Sequence, residues 1–232
     1  MITVRPAAER GATKIGWLNA KHSFSFGQYY DPRHMGFRSL RVINDDTVSP
    51  GSGFGRHGHR DMEIITWVLS GALAHEDSTG GRSTLYAGDV QRMSAGKGVL
   101  HSEFNASSTE PLHLLQIWIE PNELGIAPRH EDLRIPPAEV AGQLRVVASP
   151  TGENGSSPIA ADAKVFVSKL AAGDTVRYEL AAGRHAWVQI GAGAVALNGK
   201  TLATGDGAAI SDESALTLTA TAETDLLLFD LA

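Results

Sequence analysis

Short apolar runs, set apart by glycine and proline, recur along the chain at 40–44, 64–69, 112–119, 164–170, 187–190 and 226–231. Most are too short for an amphipathic helix and rich in Val, Ile, Leu or Thr, which predicts strands. At 195–204 the pair Asn198-Gly199 sits between two strand-like runs. A type I′ hairpin is expected there, because both central residues of that turn need positive φ. Many short strands with regular turns predict an all-β sandwich or barrel. The stretch 121–162 differs. It holds Pro128, Pro136, Pro137, Pro150 and Pro158 and a Gly/Ser-rich 152–157, which predicts a linker and surface loops with one strand at 144–148.

The pattern repeats on either side of that stretch. Trp67-Val68-Leu69-Ser70-Gly71 matches Trp187-Val188-Gln189-Ile190-Gly191, and a hairpin and then Gly-Asp (Gly88-Asp89, Gly205-Asp206) follow each. Three features in the same order favour a duplication over chance. Two β-barrel units are therefore expected, 1–130 and 131–232, the second beginning with the linker.

Composition narrows the function. The 232 residues are 42% apolar and 20% charged, enough to bury a core. The net charge of −6 disfavours nucleic acid, which needs a Lys/Arg surplus, and an anionic membrane surface. With no cysteine, disulfides, thiolate metal sites and thiol nucleophiles are excluded. The opening residues lack an apolar signal region and no run is long enough to span a bilayer. A cytoplasmic monomer is expected.

The candidate chemistry lies in the first copy. His57 and His59 are spaced i, i+2, which on a strand puts both imidazoles on one face roughly 6–7 Å apart. His101 and Glu103 repeat that spacing, and each pair follows a glycine-rich turn. Together they would make a three-histidine, one-carboxylate metal site. Glu63 competes for the carboxylate role, but it lies roughly 13 Å beyond His59 along a straight strand, so Glu103 is preferred. The repeat is an internal control. In register, His57 and His59 fall on Arg177 and Glu179, and His101 and Glu103 on Leu218 and Ala220. The second unit is thus expected to be metal-free.

Residues 55–63, Gly-Arg-His-Gly-His-Arg-Asp-Met-Glu, followed by Trp67-Val68-Leu69-Ser70-Gly71, resemble the first metal motif of the pirin family of the cupin superfamily. Residues 93–103, from Met93 to His101-Ser102-Glu103, resemble its second. Ser23-Phe24-Ser25-Phe26, Tyr30-Asp31-Pro32, 40–46 and 112–118 fit the same family, so the resemblance covers about the first 130 residues. It implies a bicupin of two jelly-roll barrels. It places the ligands at His57, His59, His101 and Glu103, around one divalent transition metal: iron first, with Mn, Ni, Co, Cu or Zn as alternatives. Arg56 and Gly58 stand where pirin itself often has prolines, which points to the bacterial pirin-like group credited with quercetin 2,3-dioxygenase activity. The implied reaction opens a flavonol ring with dioxygen and releases carbon monoxide, with Glu103 as the base. Its partners would be a small aromatic substrate and O2. The alternative is a metal-dependent redox or ligand sensor acting through a protein partner.

Other residues carry weaker expectations. One of His113 and Gln116 should point into a barrel as a hydrogen-bonded polar group. His22, His34, His75, His130 and His185 lack a partner at ligand spacing and are expected at the surface or in loops. Arg60-Asp61 reads as a turn or ion pair. Phe24, Phe26, Tyr29 and Tyr30 read as core or inter-domain packing in preference to a pocket wall.

Overall fold

The computed structural model describes residues 1–232. It is almost entirely β. The first half holds β1 (Ile2–Arg5), β2 (Gly11–Ile15), β3 (Leu18–His22), β4 (Leu40–Val48), β5 (Gly53–His59), β6 (Glu63–Ser70), β7 (Ala72–Asp77), β8 (Arg82–Tyr86), β9 (Val90–Ser94), β10 (Val99–Asn105), β11 (Leu112–Ile119) and β12 (Arg129–Leu133). The second holds β13 (Arg145–Ser149), β14 (Ser157–Pro158), β15 (Ala163–Leu170), β16 (Thr175–Glu179), β17 (His185–Ala192), β18 (Ala194–Leu197), β19 (Lys200–Ala203), β20 (Gly207–Ile210), β21 (Ala215–Ala220) and β22 (Thr224–Leu231). The six apolar runs became β4, β6, β11, β15, β17 and β22. Asn198 and Gly199 turn the β18–β19 hairpin with φ of 44° and 82°, as a type I′ turn requires.

Each half is a barrel made of a seven-stranded and a four-stranded sheet. The first orders its strands β12-β9-β6-β11-β4-β3-β2 and β5-β10-β7-β8; the second, β1-β20-β17-β22-β15-β13-β14 and β16-β21-β18-β19. The series β9-β6-β11-β4 and β20-β17-β22-β15 correspond, as do the two four-stranded sheets, so the sequence repeat is a repeat of topology.

Two strands cross the division expected at 130. β1 leaves the N-terminal segment and pairs with β20 of the second barrel, while β12 straddles the division and pairs with β9 of the first. They occupy the same place in the two sheets. The 121–162 stretch thus supplies β12 and β14 as well as the expected strand. β12 reads Arg-His-Glu-Asp-Leu and shows no apolar alternation, because it is an edge strand held by backbone pairing.

The large sheets pack face to face. Leu115, Ile117 and Ile119 of β11, with Trp67, meet Val165, Val167, Trp187, Leu227 and Phe229 in a shared core of 21 buried residues. Both repeat tryptophans lie in it. Truncating one such large side chain costs about 3–5 kcal/mol. Residues of opposite parity on the same strands face the barrel interiors, and there the barrels differ. The second is filled by 18 apolar residues. In the first, the apolar residues split into groups of 8 and 4, and buried His75, His101, Glu103, Asn44 and Asp46 share the interior. No helix is long and apolar enough to cross a membrane.

Candidate metal centre

On β5 the strand alternation turns Arg56 and Gly58 outward and His57 and His59 inward. β10 lies beside it, antiparallel, with His101 opposite His57 and a register shift between His101 and Glu103. His101 and Glu103 are buried, while the flanking strand positions Leu100 and Phe104 are exposed and Ser102 between them is half-buried. The three imidazole centroids are 4.4–4.8 Å apart, and one ring nitrogen from each lies within 4.8 Å of the others. His57 Nδ1 donates to the Gly55 carbonyl at 2.8 Å, which leaves its Nε2 with a lone pair. That Nε2 is 3.0 Å from His101 Nε2.

Glu103 stands next to this trio. Its Oε2 accepts from Gln116 Nε2 at 2.9 Å, and its Oε1 is buried with no partner. At 4.8 Å the carboxylate groups with His101 and His75 and falls outside the His57–His59–His101 group. Burial, then the neighbouring imidazoles, pushes His59 down to about 4 and His101 to about 3. Both rings are therefore neutral, ligand-competent bases at neutral pH. Three imidazoles and an unpartnered carboxylate oxygen suit a transition metal and do not suit calcium or magnesium.

Glu63 sits elsewhere. It is buried, its Oε2 accepts from Ser94 Oγ at 2.8 Å and its Oε1 from the Ala160 amide at 3.2 Å. It ties the linker to the first barrel. Burial raises its pKa.

A cavity of about 470 Å³ opens on the cluster. His57, His59, Glu103 and Gln116 line it together with Phe26, Trp118, Phe54, Leu18 and Asp46. Trp118 meets His59 edge-on at 4.9 Å, and Phe26 meets Trp118 at 5.4 Å. Gln116 is thus the inward residue of the His113/Gln116 pair. His113 bonds Asp45 Oδ1 at 2.7 Å. The aromatic segment divides. Phe24 packs on Trp187 between the barrels, Tyr30 is exposed, and Phe26 walls the cavity. Asp61 makes a turn with φ 48° and accepts from the Gly125 amide.

The expectation of surface or loop positions fails for His22 and His75. Both are buried strand residues. His22 Nδ1 bonds Asn44 Oδ1 at 2.7 Å, and His75 bonds Asp77 at 3.1 Å. Half-buried His130 and His185 also lie on strands, β12 and β17. His75 and Asp77 carry the same i, i+2 signal as the other pairs. Asp46 and Trp118 gave no sequence signal as site residues. Asp46 is pushed up to about 8 by burial and then by Asp45 and Glu103.

The repeat register also shifts by one residue. β16 pairs Val176 with Leu218, the position that His57 and His101 hold in the first barrel. Arg177 and Glu179 therefore face outward and bond each other, while Val176 and Tyr178 take the inner face. A one-residue slip exchanges the faces of a strand. The inner positions still carry no metal ligand, and every candidate metal cluster lies in the first barrel.

Fold and cluster together define a bicupin with one potential metal centre, in the N-terminal barrel. The chain belongs to the pirin family: residues 3–119 match the Pirin family model, and 146–231 match the quercetinase C-terminal cupin domain. It is 47% identical to the quercetin 2,3-dioxygenase of Escherichia coli K12, covering 100% of this chain and 99% of that protein. It is 42% identical to a pirin-like protein of Caulobacter vibrioides over the full length of both. The crystal structure of the bacterial pirin YhhW from Escherichia coli in complex with nickel(II) superposes with a TM-score of 0.94 at 47% identity, covering 100% and 99% of the two chains.

Proposed function

We propose that the chain is a metal-dependent dioxygenase of the quercetin 2,3-dioxygenase type, opening a flavonol ring with dioxygen and releasing carbon monoxide. The observation that carries this reading is a three-imidazole cluster, with the Glu103 carboxylate beside it, at the wall of an aromatic-lined cavity. Its volume lies within the range of small-molecule sites. The names of full-length relatives support it. His57, His59, His101 and Glu103 would hold the metal, which supplies Lewis acidity and redox capacity toward substrate and dioxygen. Iron and nickel head the possible identities, nickel because of the complex of the relative.

The remaining steps belong to the side chains. Phe26 and Trp118, packed edge to face on each other, wall the side of the cavity that a flat aromatic ring would contact. Glu103 Oε1, which no other side chain bonds, would also accept the proton of the flavonol 3-hydroxyl. Gln116 holds the other oxygen of that carboxylate in place. The apolar wall of Leu18 and Phe54 keeps water from the opening ring. The test is metal analysis of the native protein coupled to loss of flavonol absorbance under air and under nitrogen. Oxygen-dependent loss with carbon monoxide release is expected. Equal rates under both gases with metal-loaded protein would refute it.

A further inference from the structure

The cavity beside the metal centre holds a second carboxyl that the proposed reaction does not use. Asp46 lies on β4 and lines the cavity. It is 3% exposed, and its Oδ1 has no hydrogen-bond partner. Strand register explains why. Its cross-strand neighbours are Ala20 on β3 and Leu114 on β11, and neither side chain carries a polar atom. Leu18 and Phe54, which wall the same cavity, offer none either. Two residues back along β4 the same face is polar and satisfied by itself. Asn44 stands in register with His22 and Gln116. His22 bonds Asn44 at 2.7 Å and Thr13 at 2.9 Å, and Gln116 donates to Glu103 at 2.9 Å.

The repeat shows that the fold does not require a carboxyl at this place. Trp67 pairs with Leu115 as Trp187 pairs with Phe229. One residue earlier, Leu114 pairs with Asp46 and Leu228 with Phe166. Asp46 therefore corresponds to Phe166, which helps fill the apolar interior of the second barrel. A buried polar group without a partner is destabilising. A site that aims such a group at a ligand hydroxyl relieves that cost on binding and rejects the analogue lacking the hydroxyl. A carboxyl accepts a phenolic O–H whether it is ionised or neutral, so the match holds in either form.

We propose that Asp46 is a specificity-determining residue of this cavity: its carboxyl accepts the hydrogen of a second phenolic hydroxyl, so that a polyhydroxylated aromatic is selected over the same ring system bearing one hydroxyl. His57, His59 and Glu103 come from the four-stranded sheet and Asp46 from the seven-stranded one, and all four line the one cavity. A substrate held at the metal by one hydroxyl meets Asp46 with another. The proposal rests on the flavonol reading and names the feature of the substrate that the cavity selects.

Calorimetric titration of nickel-loaded protein under nitrogen tests it, with quercetin, which carries several hydroxyls, and 3-hydroxyflavone, which carries only the one assigned to the metal. Urea unfolding is the folding control. Asp46→Ala should bind quercetin about 10- to 100-fold more weakly and 3-hydroxyflavone within threefold of wild type. Asp46→Asn, whose amide oxygen still accepts, should keep most of the quercetin affinity. The same selective loss is expected in chelator-treated protein, and nickel content should be equal in all three proteins. A merely structural role would weaken both ligands by one factor and would not be rescued by asparagine. Equal weakening of both ligands in folded Asp46→Ala, quercetin affinity within twofold of wild type, or loss of nickel from that variant overturns the proposal. Oxygen-dependent flavonol loss by the wild type would then leave the dioxygenase reading standing. Wild-type protein that binds neither flavonol overturns the flavonol reading and this proposal together.

Discussion

Asp46 offers the most quantitative test of the interior of the first barrel. Its side chain is 3% exposed, its Oδ1 has no partner, and it titrates at about 8 against an ordinary 3.8. Between those values the folded chain keeps the proton and the unfolded chain has lost it. The unfolded state therefore binds fewer protons, and stability falls as pH rises through the window. The slope is about 1.4 kcal/mol per pH unit, so roughly 4 kcal/mol is lost between about pH 5 and pH 8. That is a ceiling, since water entering the cavity solvates the carboxylate. Asp46→Asn keeps the shape and removes the titration. Urea unfolding of chelator-treated wild type and variant, at several pH values, isolates the effect because other groups cancel in the difference. The advantage of Asp46→Asn should grow steadily with pH and level off above about 8. Metal loading should shrink it, because a nearby cation favours the carboxylate. A stability difference that does not change with pH would refute the assignment of Asp46 as a protonated cavity residue.

Four further outcomes follow. The His57→Ala/His101→Ala double variant should lose tight metal binding, and stoichiometric metal in it by mass spectrometry would sink the ligand set. Glu103→Gln should lower turnover by roughly 10²–10⁴, as loss of a general base does, with a smaller drop in metal content. Glu63→Gln should leave metal content unchanged and cost about 1–3 kcal/mol of stability, because it breaks buried bonds to Ser94 and Ala160; metal loss there would reverse the choice of carboxylate. Nickel titration should saturate at one equivalent per chain, and an ion located beside Val176 and Leu218 would contradict the metal-free second barrel.

The sequence made legible whatever strand periodicity encodes. The apolar runs, the Asn198-Gly199 turn and the Trp67/Trp187 repeat all report side chains alternating across a pleat, and their strands formed. The two i, i+2 pairs were readable for the same reason: alternation alone puts His57 with His59 and His101 with Glu103. Three things were not. β12 is held by backbone pairing and leaves no side-chain pattern. The offset that puts Val176, and not Arg177, opposite Leu218 depends on a loop length between copies that glycine anchors do not measure. The convergence of Asp46, Gln116 and Trp118 on the cavity arises from cross-strand pairing of β4 with β11 and from the closure of the barrel, which no local spacing reveals. His75 was legible in principle, since His75-Glu76-Asp77 has the ligand spacing.

The two faces of β11 explain why one barrel can carry polar chemistry inside. Leu115, Ile117 and Ile119 enter the shared core, while Gln116 and Trp118, between them, reach the cavity. β4 does the same with Leu40 and Ile43 on one side and Asn44 and Asp46 on the other. Buried carboxylates and imidazoles cost desolvation that an apolar interior would avoid. The inter-barrel core offsets that cost from the opposite face of the same strands, and it holds them rigidly enough to fix the cluster. The second barrel, apolar within and joined to the first through β1 and that core, is then what allows the first to keep its interior unfilled. A cavity-forming substitution such as Ile117→Ala, which touches no site residue directly, acts on the strand that aims Gln116 at Glu103 and Trp118 at His59.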